Sequence, residues 1–324
     1  ICQKSSLLNM QSNHSLIEKY NTFQFNLLLF LSFISIIIVL INPSILTYYF
    51  QYYLLLISVA IIGIPHGFFD YSIAEKLFKN KNHWIYYFTI SYIFLSLVYL
   101  FFWIQFPLVS LIFFLIISII HFGIEELHHI DYKDMKAFQI IMIGSMPIFL
   151  PILFHSSDVF YIFNQLIEIH ISNVEIHTYI YYLYFLLLVI ALYLNGLKRA
   201  LVYLILIFNF ILLPPLVSFI LYFCFHHSIR HYIHSIYFEN LIPKKYTINQ
   251  YLKNIVIASV LFTTFILILL QTYGEYSFDI IIVKYVFILL ACLTLPHLIL
   301  NIYYDIQKNE QNTSPPGLEP GTKP

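Results

Sequence analysis

Apolar residues in this chain come in long runs, broken at wide intervals by proline, asparagine and charge. Read against those breaks, the pattern predicts ten helical segments, at roughly 24–41, 45–65, 84–104, 107–124, 138–154, 178–195, 199–213, 215–233, 254–270 and 281–303. Most approach the ~20 residues that an α-helix needs to cross a bilayer. Only Pro214 and Pro215 separate the seventh from the eighth, so that pair also reads as one kinked or re-entrant unit, and eight to ten spans are expected. The stretch 155–177, with Asp158, Glu168 and Glu175, reads as a loop. The expected fold is an all-α, polytopic transmembrane helical bundle. Its parts are a cytoplasmic segment over 1–23, a single helical domain over 24–305 and a disordered tail over 306–324. The chain begins at Ile1 rather than Met and shows no cleavable signal peptide, so its true N-terminus is expected to lie outside this sequence.

Composition agrees. Of 324 residues, 60% are hydrophobic and 10% charged, against about a quarter charged in a soluble domain, and the mean hydropathy is +0.81. The net charge is zero, which offers nothing to nucleic acid. Cys2, Cys224 and Cys292 lie far apart and read as buried thiols, not a disulfide framework. Basic residues orient the bundle. With the N-terminus inside, Lys4, Lys19, Lys76, Lys79, Lys81, Lys133, Lys136, Lys198, Arg199, Arg230, Lys244, Lys245, Lys253 and Lys308 fall on the cytoplasmic side, with Lys284 the exception. This places both termini inside a multi-pass protein of the cell membrane.

Ionisable groups within membrane helices are costly and face the bundle interior, so their positions are informative. IGIPHGFFD puts His66 and Asp70 where the second span leaves the membrane, and IIHFGIEEL puts His121 and Glu125 at the end of the fourth. FCFHHSIRH puts His227 and His231 at the end of the eighth, and LTLPHLIL puts His297 in the cytoplasmic half of the tenth. Segments far apart in sequence thereby bring imidazoles to one membrane face. His227 and His231 are four apart, so on an α-helix both rings leave one face and can grip one ion. His66/Asp70 and His121/Glu125 repeat that spacing, which suits a carboxylate accepting the second N–H of a ligating ring. It equally suits acids reaching for the surface. Pro65, Gly67 and Gly123 loosen the backbone nearby and admit a close neighbour. His226 points away from His227, His234 can share its face, and Arg230 suits a pairing with Glu239 or a site carboxylate. Contact with an ion stays open for His226, His234 and His297. His128 and His129, beside Asp131 and Asp134, read as solvated, and His83, His155, His170 and His177 as interfacial or in loops.

Imidazole-rich sites suit zinc, copper, iron or nickel, and the lack of cysteine ligands argues against a closed thiolate zinc site. Neutral histidines leave iron with open positions, which fits binding O2. A substrate arriving from the bilayer would itself be lipid-soluble. Two rival functions fit the same residues. A membrane di-iron desaturase or hydroxylase uses repeated HxxxH and HxxHH boxes, of which this chain has one HxxxH pair. A metal or proton transporter would carry polar residues at several depths, whereas the outer halves of these helices are almost bare of them.

In their order and spacing, GIPHGFFD, HFGIEE, HHSIRH and the late PH of LTLPHL resemble the motifs of the Brp/Blh family, over roughly residues 50–305. These are bacteriorhodopsin-related membrane proteins that act as carotenoid 15,15′-dioxygenases. The resemblance implies a ferrous ion, Fe(2+), held by His66, His121, His227 and His231, with His297 in a motif of unassigned role. It implies that O2 splits the central double bond of β-carotene into two all-trans-retinal molecules, the chromophore of a microbial rhodopsin. No catalytic residue beyond the metal ligands is expected. A carotenoid needs no hydrogen bonds and can slide into an apolar tunnel, where its position along the tunnel selects the bond. Phe68, Phe69, Phe122, Phe223 and Phe225 are candidate tunnel walls, although in so Phe-rich a chain each also reads as lipid-facing packing.

Overall fold

A computed structural model of the protein describes residues 2–127, 135–172, 177–237, 241, 248–272 and 278–313. The side chains of 2–18 and of some later helical residues, His66 among them, are outside the described set. The helices are α1 (Cys2–Ile41), α2 (Tyr48–Ser58), α3 (Phe69–Phe78), α4 (Trp84–Gln105), α5 (Pro107–Leu127), α6 (Lys136–Phe154) and α7 (Ser156–Ile167). They continue with α8 (Thr178–Asn195), α9 (Leu197–Leu212), α10 (Pro215–Ile220), α11 (Ile229–Tyr237), α12 (Ile248–Thr272) and α13 (Phe278–Thr313). A π-helical stretch, Val59–Gly63, and a 3-10 turn, Ile64–Phe68, join α2 to α3, and a second π-helical stretch, Leu221–Ser228, joins α10 to α11.

Six helical stretches, within α1, α4, α5, α6, α8 and α13, are long and apolar enough to cross a membrane. Tyr48–Gly63, Arg199–Leu212 and Ser259–Ile268 are apolar but shorter. The chain is thus an all-α, multi-pass membrane bundle, and each of the ten predicted segments falls on helix. Leu213 and Pro214 break α9 from α10, because Pro215 fits the first turn of a helix but cannot extend the preceding one. The stretch read as a loop over 155–177 contains α7. Its apolar face packs against α5, α6 and α13.

Two close approaches set the packing around the histidines. A Cβ on Gly123 would run into the Ile140 carbonyl, and one on Gly144 into the Ile119 carbonyl and the Gly123 backbone. α5 and α6 therefore touch backbone to backbone, as small residues allow between membrane helices. The two π-helical stretches also pack together, where a Cβ on Gly63 would come within 2.8 Å of the Phe223 ring. Large apolar side chains on α4, such as Tyr86, Ile90, Phe94 and Leu97, stay exposed, as expected of a lipid-facing helix. Lys284, the residue out of step with the charge pattern, forms an ion pair with Glu168 at the C-terminal end of α7.

Candidate active site

The end of α5 and the middle of the α10–α11 rod bring His121 against His227, with ring centroids 5.0 Å apart. α13 adds His297, 5.0 Å from His121, and α11 adds His231, 5.6 Å from His297. The rings thus follow one another in the order 227, 121, 297, 231, and all of these histidines are buried. Phe122 and Phe223 pack on His227, and Phe69 meets the edge of His231. The backbone of His66 lies in the 3-10 turn, but its side chain is outside the described residues.

Two carboxylates, Asp70 buried and Glu125 partly so, orient two of these rings. Asp70 Oδ1 accepts from His297 Nδ1 at 2.7 Å while its Oδ2 accepts from the Tyr92 hydroxyl at 2.7 Å. Glu125 Oε1 accepts from His231 Nδ1 at 3.0 Å. Because a carboxylate can only accept, Nδ1 carries a proton in both rings, and in the neutral imidazole this leaves the lone pair on Nε2, the arrangement of a ligating ring backed by a carboxylate. Asp70 thus pairs with a histidine from α13, and Glu125 with one from α11. Between His66 and Asp70 the backbone departs from α geometry, because the turn over Ile64–Phe68 advances about three residues per turn.

Glu126, which no i,i+4 spacing singles out, is the anchor behind the cluster. It is 1% exposed and takes His226 Nε2 at 2.8 Å, the Arg230 guanidinium and the Tyr203 hydroxyl at 3.3 Å. Gln24 Nε2 on α1 donates to His226 Nδ1 at 3.2 Å and to the Phe225 carbonyl at 3.3 Å. With Nδ1 accepting and Nε2 donating, both His226 nitrogens are engaged, so this ring supports the site and offers no lone pair to an ion. Arg230 finds its carboxylate in Glu126; Glu239 lies outside the described residues. His234 is buried on α11. The adjacent acids of HFGIEE were the available signal for Glu126, and nothing in sequence spacing pointed to Gln24, Tyr92 or Tyr203.

A cavity of about 310 Å³ opens onto His121 and His297. Its wall is almost all carbon: Leu111, Phe114 and Leu115 from α5, Pro147 and Pro151 from α6, Phe219 and Phe223 from the α10–α11 rod, and Phe287 and Leu290 from α13. Phe68, Phe122 and Phe223, three of the expected tunnel residues, line it. Phe69 instead packs with Ile73, Ala74, Leu241 and Leu300, and Phe225 packs against the main core, both outside the cavity wall. α7 contributes Val159, Ile162, Phe163 and Leu166 to the same wall.

A sequence model of the beta-carotene 15,15′-dioxygenase family matches residues 57–304, which is most of the chain and all of the histidine cluster. The chain belongs to this family. A curated relative named beta-carotene 15,15′-dioxygenase, from uncultured marine bacterium 66A03, is 33% identical over 184 residues. That match covers 54% of this chain and 66% of the relative, just under two thirds of its length. No solved structure matches the chain. Within this family member, the matched region begins on α2, ahead of GIPHGFFD, and ends on α13 beyond His297.

The donor set suits a histidine-bound metal: clustered imidazoles, no thiolate, and carboxylates holding Nδ1 protons. Among the described residues, no group of three or more His, Cys, Asp or Glu side chains converges closely enough to hold an ion. The cluster supplies adjoining pairs of rings, and the side chain of His66, named from sequence as a further ligand, is not among those residues.

Proposed function

We propose that the protein is an iron-dependent membrane dioxygenase that splits the central 15,15′ double bond of β-carotene. One carotenoid and one O2 become two all-trans-retinal molecules, with every atom accounted for and no other oxidant needed. The observation that carries this reading is the meeting of a largely carbon-walled cavity with a buried histidine cluster, in a chain of this family.

His66, His121, His227 and His231 would hold the iron, with His297 beside them. Bound there, ferrous iron supplies the one-electron chemistry that brings O2 into reaction with a carbon–carbon double bond. The protein's own part is binding and placement. The cavity takes a molecule without polar groups, because its wall offers almost no hydrogen bonds that such a ligand would leave unmet. Contacts along the polyene hold one bond beside the histidines, so remote binding energy serves orientation. Asp70 and Glu125 keep the protons of His297 and His231 on Nδ1. No side chain need act as general acid or base. Product retinal would leave through the bilayer to serve as the chromophore of a microbial rhodopsin. The charge pattern supports a plasma-membrane protein with both termini and the histidine cluster on the cytoplasmic side.

Expression in a bacterium that accumulates β-carotene tests this directly. The expected result is loss of colour with retinal as the product. Unchanged colour in cells with folded protein in the membrane would refute it.

A further inference from the structure

We propose that α7 is an end stop that measures one half of the carotenoid and so chooses the bond that is cut. This inference rests on the dioxygenase reading above. From Leu111 to Phe122 along α5 the cavity runs about 16 Å, and from Phe287 to His297 along α13 about 15 Å, at the rise of an α-helix. That is close to the extended length of β-carotene from its central double bond to the far edge of one ring. His121 and His297 lie toward one end of this length, while α7, whose Glu168 pairs with Lys284 about 20 Å along α13 from His297, brings Val159, Ile162, Phe163 and Leu166 to the wall from the other direction.

A hydrocarbon cannot be held in register by hydrogen bonds, so only a steric limit can fix how deep it enters. α7 is built as such a limit. At twelve residues it is too short to span a bilayer, yet it packs against α5, α6 and α13. Its position is tied down along its whole length. Tyr48 donates to Asp158 at 2.9 Å, His155 meets the Ile211 carbonyl at 3.0 Å, Asn164 brackets the backbone of Ile171, and Glu168 pairs with Lys284. A ring seated against α7 leaves the central bond at the histidines. A deeper seat would present the neighbouring double bond and give two unequal fragments.

The test is the product ratio from β-carotene in membranes carrying the unmodified protein, Leu166→Ala, Leu166→Ala with Phe163→Ala, and Tyr161→Ala on the exposed side of α7. The unmodified protein and Tyr161→Ala should give retinal. The cavity-side variants should raise the ratio of the unequal pair, β-apo-14′-carotenal with β-apo-13-carotenone, by about tenfold or more, since a single methylene of fit discriminates by roughly ten- to two-hundredfold. The ratio is read on whatever turnover remains, and Leu166→Val, a smaller cut, stands in if the larger truncations fail to fold. Cavity-side variants that make retinal at the unmodified ratio would overturn the stop. So would folded variants that lose all cleavage, because a stop governs position and not rate. Failure of the dioxygenase reading itself would show separately, as no retinal from the unmodified protein.

Discussion

Asp70 offers the sharpest test of how the site is held together. It is 3% exposed, and each of its oxygens accepts one bond of 2.7 Å, from His297 and from Tyr92. Asp70→Ala leaves both donors without their acceptor, and a buried bond to a charged partner is worth about 1.5–3 kcal/mol. If that energy orients His297 for its part in the site, its loss corresponds to about a ten- to hundredfold fall in metal affinity or activity. Asp70→Asn is gentler. Its carbonyl can still accept from His297, and its amide can donate to a Tyr92 oxygen turned to accept, so only the charge is lost and a fall of about tenfold is expected. Tyr92→Phe removes one of the two bonds and should resemble Asp70→Asn more than Asp70→Ala. The assay is an iron titration of purified protein in detergent, run beside retinal formation in membranes. An Asp70→Ala protein that binds iron and makes retinal as the unmodified protein does would refute the assigned role.

The remaining predictions concern other parts of the structure. His227→Ala and His231→Ala should abolish retinal formation in β-carotene-producing cells while membrane expression, followed by immunoblot, stays intact. Glu126→Gln should lower stability in a detergent melt by about 3 kcal/mol, the cost of removing one partner from a buried ion pair, with partial exposure of Arg230 limiting the loss. Gly123→Val should sharply reduce the yield of folded protein in size-exclusion chromatography, since its side chain has nowhere to go but the Ile140 backbone. Glu168→Gln, by contrast, should shift the melt by at most about 1 kcal/mol, because Glu168 is 62% exposed and such pairs contribute little.

Hydropathy alone located the membrane helices, because burial in lipid leaves long apolar runs that no loop would carry. α7 escaped because it is short and flanked by acids, yet Val159, Ile162, Phe163 and Leu166 follow the i, i+3, i+4, i+7 pattern of one helical face. The meeting of His121, His227, His231 and His297 was also legible, since an ionisable residue inside an apolar run costs too much to persist without a role. Their partners were less so. An i,i+4 spacing has its meaning only on an unbroken α-helix, and at the site the backbone switches to 3-10 geometry over Ile64–Phe68 and to π geometry over Leu221–Ser228. Such departures are frequent where helices carry function. They turn Asp70 toward His297 and send His226 to Glu126, a residue 100 positions away. No period in the sequence records a contact of that kind.

The claim beneath all of this is that histidines from separate helices share one iron, and iron content per chain tests it most directly. Metal analysis of protein purified from membranes should find close to one iron per chain, falling toward none in His121→Ala and His227→Ala proteins that remain folded. Two irons per chain, or iron retained by both variants, would contradict it.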